Sequence, residues 1–536
     1  MTLTTETAQR PLNLADVLEA MADALPDRVA VFTRERSWTF AEVDDRATRL
    51  ANHLTGLGIR PGDHVAVHAT NRIEWVDALY GCLKARAVPI NINYKYLHDE
   101  LAYLYDNADC VAAVIAPEFV DAVRALDVPS LRQLVVLGEE YDAALAAASP
   151  ERPVNGRSAD DRYVLYTGGT TGNPKGVVWR NEDLLRAALN AARYGAPLDS
   201  VEQLVGEAVA LETPMVLLAC GPMMHGGSQW ILGNGHVVGH TVALYTEPSF
   251  DAASILDLVE QARVVSLTFL GDAMGRPVAE AILAEPERWD LSSLAAVSNG
   301  AAPLSDGVRE EIRRALPGRF ILDSYGSSES GAAGSRVDDG SEAGAAAPRF
   351  TVDDHVEVFD PEMRPCPPGV DGMLARSGPV PLGYYKDEAK TAATFKVVDG
   401  VRWVIPGDFA RREEDGSVTV LGRGSVCINT GGEKVHPEEV EAVLLRHDEV
   451  FDAVVVGTPH ERWGQQVTAL VQRRDGSALD EEGVRAHCRA LISNYKVPKT
   501  VLFVDEVPRT PVSKVDYPAS AALAATLLST RQVQAT

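Results

Sequence analysis

Helix-like and strand-like patterns alternate along most of this chain, and that alternation limits the fold more than any other feature of its sequence. Between Thr39 and Leu54 apolar residues recur on one helical face, behind a capping box that pairs Thr39 with Glu42. Asp251 begins a second such helix, which runs into the apolar stretch Val264–Leu270. Helices that connect successive strands are typical of parallel sheets covered on both faces. The sequence therefore predicts an α/β fold with doubly wound sheets.

Glycine becomes denser toward the C-terminus, around short strand-like runs, and this change predicts a domain boundary near Gly422. We expect residues 1–422 to form an N-terminal domain and residues 423–536 a smaller α+β domain. The elements expected in the smaller domain are a helix that begins at Pro437, a strand over Phe451–Val456, a helix over Glu481–Ile492 and a strand over Val501–Val504. The Ala/Gly-rich stretch Gly331–Pro348 is predicted to be a flexible loop.

The chain is strongly acidic: its 536 residues include 50 Lys and Arg against 76 Asp and Glu, a formal net charge of -26. Such a surface repels phosphates, so we expect no nucleic-acid partner and no attraction to anionic membranes. The 6 cysteines form no Cys-x-x-Cys pair, which favours a reducing, cytoplasmic setting. Met1–Pro11 lacks the features of a signal peptide, and we expect no membrane span. Any anionic ligand must therefore meet locally placed cations.

The sharpest local motif is the segment Tyr166–Gly176, YTGGTTGNPKG, which follows the strand-like run Tyr163–Leu165. Its glycines let backbone amides approach phosphate oxygens, its threonine hydroxyls can donate hydrogen bonds, and Lys175 supplies positive charge. The segment is not a Walker A loop, because Gly176 stands where that motif has a Ser or Thr for magnesium. The combination predicts a cradle for a polyphosphate.

This segment resembles the phosphate loop of the adenylate-forming (ANL) superfamily, YTSGTTGxPKG, which acyl-CoA synthetases, adenylation domains and firefly-type luciferases share. The resemblance is nearest to bacterial CoA ligases for long-chain, steroid or terpenoid carboxylates. Further segments follow in the family's order: Ser298–Leu304, Tyr325–Glu329, Gly407–Asp408, Gly422–Arg423, Gly431–Pro437 and Pro508–Asp516. The resemblance implies a large N-terminal domain with doubly wound sheets and a small distorted β-barrel, joined to a smaller mobile α+β C-terminal domain by a hinge near Ser425.

The implied reaction has two steps. A carboxylate attacks the α-phosphate of Mg-ATP, releasing pyrophosphate and leaving acyl-AMP, and the thiol of coenzyme A then displaces AMP. Tyr325 offers an aromatic face for adenine, Asp408 can accept both ribose hydroxyls, and Glu329 can hold Mg²⁺. The ATP-binding residues implied by the resemblance are Thr167, Gly168, Gly169, Thr170, Thr171, Gly172, Lys175, Gly300, Ala301, Ala302, Asp323, Ser324, Tyr325, Gly326, Ser327, Ser328, Asp408, Arg423 and Lys514.

Lys514 lies in an extended stretch, because Pro508 and Pro511 exclude a helix interior. In the family the matching lysine binds the substrate carboxylate and the α-phosphate, neutralising charge that develops at phosphorus. The catalytic residues implied by the resemblance are Lys514, Thr170, His225 and Glu329, of which Glu329 is also the metal ligand. For His225 a pocket or gating role and a purely structural role both remain open.

The acyl pocket is assigned by resemblance to Met224, His225, Gly226, Trp230, Gly300, Gly326 and Gly331. The preceding stretch Thr213–Pro222 contains no Asp to pair with a substrate ammonium, so an uncharged acyl group is favoured over an amino acid. Small residues at Ser324, Gly326 and Gly331–Gly334 favour a wide cavity for a bulky hydrophobic acid. The loop expected to accommodate CoA comprises Gly431, Gly432, Glu433 and Lys434.

Two departures from the family pattern are Gly168, where a Ser is usual, and Ser425, where the hinge usually has Asp or Lys. Alternatives stay open: an enzyme that loads a carrier protein, a luciferase-like oxidase, or an inactive nucleotide-binding homologue. The presence of both Lys175 and Lys514 favours an enzyme. The sequence does not identify the acid. The expected pathway is fatty acid metabolism, and a homodimer is one candidate for the oligomeric state.

Overall fold

The structure is a computed structural model that describes residues 10–167, 173–190, 193, 196–300, 304, 306–338, 348–423, 428–435, 437–508 and 516–535. Its helices are α1 (Leu14–Ala24), α2 (Phe40–Gly56), α3 (Ile73–Lys84), α4 (His98–Asn107), α5 (Val120–Arg124), α6 (Glu139–Ala147), α7 (Asn181–Ala187), α8 (Val201–Ala210), α9 (Gly226–Val237), α10 (Ala252–Ala262), α11 (Asp272–Ala284), α12 (Asp306–Ala315), α13 (Glu388–Thr394), α14 (Pro437–Leu444), α15 (Glu481–Leu491) and α16 (Tyr517–Ala535).

The strands are β1 (Val29–Phe32), β2 (Ser37–Thr39), β3 (His64–His68), β4 (Val88–Asn91), β5 (Cys110–Ile115), β6 (Gln133–Val136), β7 (Arg162–Thr167), β8 (Lys175–Arg180), β9 (Val216–Ala219), β10 (Thr241–Leu244), β11 (Ser266–Phe269), β12 (Ala296–Asn299), β13 (Phe320–Ser327), β14 (Gly331–Asp338), β15 (Arg349–Phe350), β16 (Val356–Phe359), β17 (Asp371–Arg376), β18 (Gly383–Tyr384), β19 (Phe395–Val398), β20 (Val401–Val404), β21 (Asp408–Arg412), β22 (Val418–Arg423), β23 (Ile428–Thr430), β24 (Glu433–Val435), β25 (Val450–His460), β26 (Gly464–Arg473) and β27 (Thr500–Val504).

Two large sheets organise the longer part of the chain. Sheet I has the order β14-β13-β12-β11-β9-β10-β1-β2, and sheet II has the order β18-β8-β7-β4-β3-β5-β6. Both are parallel in their interior, and antiparallel strands close their edges: β14 and β2 in sheet I, β8 and β18 in sheet II. Apolar residues of both sheets bury against α1, α2, α3 and α9 in one shared core, while α10, α11 and α12 pack on the other face of sheet I. This is the doubly wound α/β arrangement that the sequence predicts.

Two further, mainly antiparallel sheets complete the fold. Sheet III runs β15-β22-β21-β17-β20-β19 with β16 beside β17. Sheet IV runs β24-β23-β26-β25 with β27 parallel to β26, and α14 and α15 bury a separate core against it. Sheet membership changes between Arg423 and Ile428, beside the predicted boundary at 422/423. No helix in the described part of the chain is both long and apolar enough to cross a bilayer.

Local sequence signals account for the elements that were predicted. Thr39 caps α2 through the expected reciprocal bonds with Glu42, and Asp251 accepts a hydrogen bond from the backbone of Ser254 at the start of α10. The expectation of a loop over Gly331–Pro348 is wrong for its first part, because residues 331–338 form β14 against β13. Hairpin pairing with the adjacent strand β13 overrides the weak strand propensity of glycine and alanine there. Residues 339–347 lie outside the described part.

A buried ionic cluster joins the first three helices. Lys84 of α3 is fully buried, and its ammonium lies 2.7 Å from Glu19 of α1 and 2.6 Å from Asp44 of α2. Arg157 bonds Glu19 and Arg152 bonds Asp44, so each carboxylate is shared between a lysine and an arginine. A buried charge is tolerated only when it is paired and hydrogen-bonded, and this cluster therefore fixes how α1, α2 and α3 pack.

Replacing Lys84 with Met tests this cluster. Lys84→Met leaves Glu19 and Asp44 buried with one cation fewer, and we expect a loss of about 3 kcal/mol in the free energy of unfolding. Chemical denaturation of parent and variant measures it. The control is Arg36→Met, which removes an exposed ion pair to Glu42 and is expected to cost less than about 1 kcal/mol. A loss in Lys84→Met no larger than in the control would show that the cluster does not stabilise the fold.

Two buried histidines give the fold a specific pH dependence. Burial lowers the pKa of His68, stacked on Phe119 at 4.5 Å, to about 3. Burial also lowers the pKa of His236 to about 4, although its bond to the carbonyl of Ala30 opposes the shift. Both side chains are therefore neutral in the folded protein at pH values where the unfolded chain protonates them, below about 6.5.

Stability should consequently fall as the pH is lowered from about 6.5 toward 4, by up to about 1.4 kcal/mol per pH unit for each histidine. In His68→Phe, the slope of the unfolding free energy against pH between 6.5 and 5 should flatten by about that amount. Urea titrations at several pH values measure the slope. The exposed His98 provides the control, since His98→Gln should not flatten it. An unchanged slope in His68→Phe would contradict the assignment.

Candidate functional site

The phosphate-loop segment connects the neighbouring strands β7 and β8 of sheet II. The two strands are antiparallel, and Thr167 pairs with Lys175 at the point where the segment leaves and re-enters the sheet. Lys175 is mostly buried, with 16% of its side chain exposed, and its ammonium lies 3.0 Å from a carboxylate oxygen of Asp387. The lysine predicted to meet phosphate is thus held at the start of β8 by a carboxylate that the sequence analysis did not identify.

The residues predicted for adenine and ribose meet between sheets I and III. Tyr325 of β13 donates a hydrogen bond of 2.8 Å from its hydroxyl to Asp408 at the start of β21. The ring of Tyr325 lies 5.5 Å from that of Phe350, and Asp408 is buried at 6% exposure. Two residues that are 83 positions apart in the sequence therefore form one aromatic and anionic surface, as a nucleoside requires.

Asp323 is occupied by protein groups. Its carboxylate accepts hydrogen bonds from Asn299 at 3.0 Å and from Arg336 at 2.7 Å, and it pairs with Arg309 at 2.9 Å. Asn299 in turn accepts a hydrogen bond from the backbone of Gly271. This network ties the carboxyl ends of neighbouring strands β12 and β13 together, so Asp323 orients the strand that carries Tyr325.

Glu329, the predicted metal ligand, follows β13 in the turn to β14. Tyr384 donates a hydrogen bond of 2.9 Å to its Oε1 atom, and the indole of Trp179 donates to the carbonyl of Ser328 beside it. Within the described residues, Oε2 of Glu329 has no hydrogen-bond partner. The same part of the chain contains no group of three or more His, Cys, Asp or Glu side chains that could hold a metal ion. Mg²⁺ usually takes only one or two carboxylates together with substrate phosphates, so a single free oxygen here fits that ion.

Two buried asparagines hold the segment that leads to His225. Asn91 donates to the carbonyls of Tyr166 and Met224 and accepts from the Tyr166 amide, joining this segment to the end of β7. Asn71 accepts a hydrogen bond from the Met223 amide at 2.6 Å. His225 then begins α9 as its N-cap residue. The predicted acyl-pocket segment is thus positioned directly beside the strand that precedes the phosphate loop.

The glycines assigned to the acyl pocket mostly serve backbone packing. A Cβ at Gly326 would lie 2.2 Å from the carbonyl oxygen of Gly331 across the β13–β14 hairpin, and one at Gly226 would lie 2.5 Å from Leu165. Gly331 has φ of 69°, in the left-handed region. At Gly300 the nearest described atom to a Cβ would be the Ser324 oxygen, 3.8 Å away. The small residues of the β13–β14 hairpin are therefore no evidence for a wide acyl cavity.

The hairpin β23–β24 of sheet IV reaches the acyl-pocket segment. Glu433 lies 2.6 Å from the ammonium of Lys95 and 3.3 Å from Nε2 of His225, with 12% of its side chain exposed. Burial alone would raise the pKa of Glu433, but His225 and Lys95 outweigh it and lower the pKa to about 2. A Cβ at Gly432 would lie 3.3 Å from Leu270, so the tip of the hairpin also lies close to the residue that follows β11 of sheet I.

A second contact between the two parts of the chain lies at α4. Glu100 accepts a hydrogen bond from the Leu97 amide at the start of this helix, and it also binds Lys496 at 2.7 Å and Ser493 at 2.9 Å. The ammonium of Lys496 lies 4.8 Å from the ring centre of Tyr96. In the sequence Glu100 is visible only as an acidic residue in a first helical turn, so its partners could not be predicted.

Several predicted site residues fall outside the described part of the chain: Gly168, Gly169, Thr170, Thr171, Gly172, Ala301, Ala302, Lys514 and the hinge residue Ser425. Arg423 and Lys434 are described in their backbone only. The roles assigned to these residues stay predictions. The structure brings Lys175, Tyr325, Glu329, Asp408, His225 and Glu433 onto neighbouring strand ends and their turns, and adds Asp387, Tyr384, Lys95, Asn91 and Glu100.

The sequence matches the AMP-binding enzyme family over residues 18–385 and the AMP-binding enzyme C-terminal domain over residues 439–514. It is 43% identical over 523 residues to the medium/long-chain-fatty-acid–CoA/3-oxocholest-4-en-26-oate–CoA ligase of Mycobacterium tuberculosis (strain CDC 1551 / Oshkosh), covering 94% of this chain and 95% of that protein. A 3-oxocholest-4-en-26-oate–CoA ligase of Rhodococcus rhodochrous is 42% identical over 529 residues, with coverage of 94% and 95%. The solved structure of the amide bond synthetase McbA from Marinactinospora thermotolerans matches with a TM-score of 0.79 at 25% identity, over 95% of this chain and 99% of that one.

Proposed function

The chain belongs to the AMP-binding enzyme family, and from this premise we propose that it is an ATP-dependent acyl-CoA synthetase for a bulky hydrophobic carboxylic acid. The acid is first joined to AMP with release of pyrophosphate, and the acyl group then passes to CoA. The observation that carries the proposal is the hydrogen bond between Tyr325 and Asp408, which unites an aromatic face and a ribose-binding carboxylate on one surface. Lys175 lies at the start of β8, and Glu329 lies in the turn between β13 and β14.

In the first step the protein binds and orients ATP. Tyr325 stacks against adenine, Asp408 accepts the ribose hydroxyls, and Lys175 pairs with the phosphates. Glu329 would hold Mg²⁺, which supplies positive charge to the phosphate oxygens of the bound nucleotide. Lys514 is proposed to bind the acid's carboxylate and the α-phosphate, so that the two reacting groups meet without mutual repulsion.

The second step needs a thiol to reach the acyl-AMP, and the hairpin β23–β24 supports CoA as the acceptor. Gly431 and Gly432 have positive φ values of 60° and 84°, and glycine at both positions leaves a slender backbone at the hairpin tip. Glu433 fixes this tip against Lys95 and His225, next to the acyl-pocket segment. The relatives named above are CoA ligases, which favours CoA over a carrier protein.

The substrate proposed is a medium- or long-chain fatty acid or a steroid side-chain carboxylate. The two ligases named above act on acids of these kinds, and the stretch Val216–Cys220 before the predicted pocket is apolar, without a carboxylate to pair with an amino acid. A cytoplasmic location is proposed from the described cysteines, which are buried free thiols: Cys82, Cys110, Cys220, Cys366 and Cys488.

Half-reaction assays on the purified protein test this function. We expect exchange of pyrophosphate into ATP only when a carboxylic acid is present, and AMP release from the acyl-AMP only when CoA is added. The acid panel includes palmitate, a 3-oxosteroid side-chain carboxylate and benzoate, and kcat/KM is expected to be highest for the first two. Asp408→Asn should lower kcat/KM for ATP about 10-fold or more, since one charged hydrogen bond to ribose is lost. Exclusive use of benzoate would refute the substrate class, and no exchange with any acid would refute the activity.

Glu433→Gln tests the role of the hairpin in the thiol step. Removing the charge weakens the attraction to Lys95 and His225, so CoA-dependent AMP release should fall about 10-fold while pyrophosphate exchange stays within about threefold. Rapid-quench measurement of each half-reaction distinguishes the two. The control is Glu482→Gln, an exposed carboxylate of α15 paired with Arg489, which should alter neither step. Equal losses in both half-reactions would contradict a role limited to the second.

A further inference from the structure

The segment Gly383–Asp387 runs back along β8 toward Lys175. Gly383 pairs with Val178 and Tyr384 with Val177, and the amide of Tyr385 donates a hydrogen bond of 2.7 Å to the carbonyl of Gly176. Two of its side chains bind a residue outside the β7–β8 hairpin. The hydroxyl of Tyr385 lies 2.8 Å and the ammonium of Lys386 lies 2.7 Å from the carboxylate of Asp109. The segment is therefore fixed beside the phosphate-loop hairpin by backbone and side-chain bonds.

This one segment holds two charged groups of the proposed ATP site. Asp387 binds the ammonium of Lys175 at 3.0 Å, and Tyr384 donates its hydroxyl to Glu329 at 2.9 Å. The carboxylate of Asp387 is itself oriented, since its other oxygen accepts the amide of Lys390 as the N-cap of α13. The amide of Lys390 and the charge of Lys175 together outweigh the effect of burial and lower the pKa of Asp387, which is ionised at neutral pH.

We propose that Asp387 is the resident counterion of Lys175 and competes for this lysine with the phosphates of ATP and with pyrophosphate, so that Asp387 sets the affinity for both. The proposal rests on the function proposed above. Asp387 has 31% of its side chain exposed, so water can solvate its carboxylate when a phosphate takes the lysine. Binding of phosphate at Lys175 is thus an exchange of one anion for another.

The competition has a consequence at the end of the first step. When pyrophosphate leaves, Asp387 recaptures Lys175 and returns the lysine to its position at the start of β8. Without the carboxylate, Lys175 would keep an unshared positive charge next to the departing anion. Asp387 therefore lowers the affinity for the product as well as for ATP, and favours turnover over tight binding.

Asp387→Asn tests the proposal, because asparagine caps a helix as well as aspartate does and removes only the charge. Calorimetric titration with Mg-ATP, in the absence of any acid, should give a Kd about three- to fivefold lower than in the parent. The inhibition constant of pyrophosphate should fall by a similar factor, and both gains should shrink at 1 M salt. The control is Asp371→Asn, which removes an equal charge from the ion pair with Arg411 in sheet III and should change neither constant.

A double-mutant cycle assigns the effect to the lysine. In a Lys175→Met background, Asp387→Asn should no longer alter the Kd for Mg-ATP. An unchanged or weaker affinity in Asp387→Asn overturns the proposal, as does a gain that persists without Lys175. A parent protein that binds Mg-ATP while the variant shows no gain overturns this inference alone, whereas a parent that binds no Mg-ATP overturns the proposed function with it.

Discussion

Each cation that the structure brings to this site already has a carboxylate of the chain as its partner. Lys175 pairs with Asp387, Lys95 with Glu433 and Lys496 with Glu100, at separations of 2.6 to 3.0 Å. In a chain whose formal net charge is -26, cations that bind anionic substrates must be kept local and oriented, because the overall field opposes the ligand. For the ATP binding proposed at Lys175, the affinity is then decided by the difference between two ion pairs of this lysine, one with phosphate and one with Asp387, and this difference is smaller than the strength of either pair.

Two of these pairs also connect the two parts of the chain. Glu433 and Lys496 lie after the predicted hinge, whereas Lys95 and Glu100 lie near the start of α4. Both contacts lie at residues 95–100, and together with the approach of Glu433 to His225 they define the orientation of sheet IV against the larger part of the chain. A hairpin that carries a buried carboxylate to a histidine of the other part makes the proposed acyl pocket depend on that orientation.

The sequence predicted what depends on local pattern and on motif. The capping box of α2, the helix after Asp251 and the alternation that gives parallel sheets all arise within windows of about fifteen residues, where periodicity is informative. Two motifs led to the prediction that Tyr325 and Asp408 serve one nucleoside, and the hydrogen bond between their side chains is a contact that the sequence did not predict. Asp387 and Glu100 could not be found in this way, because each is an ordinary helix-cap carboxylate in the sequence and acquires its role only from a partner hundreds of residues away.

The error over Gly331–Pro348 has a different origin, because the partner of β14 is the adjacent strand β13. Glycine and alanine favour a loop locally, yet across the β13–β14 hairpin they are the residues whose small size lets two backbones approach, with Gly326 against the carbonyl of Gly331. Those glycines are therefore explained without any ligand, and they cannot be counted as evidence of a wide cavity. Gly300 differs from them, because a Cβ there would meet no described atom closer than 3.8 Å. Of the described glycines predicted to line the acyl pocket, Gly300 is thus the position at which an added side chain would disturb the described packing least.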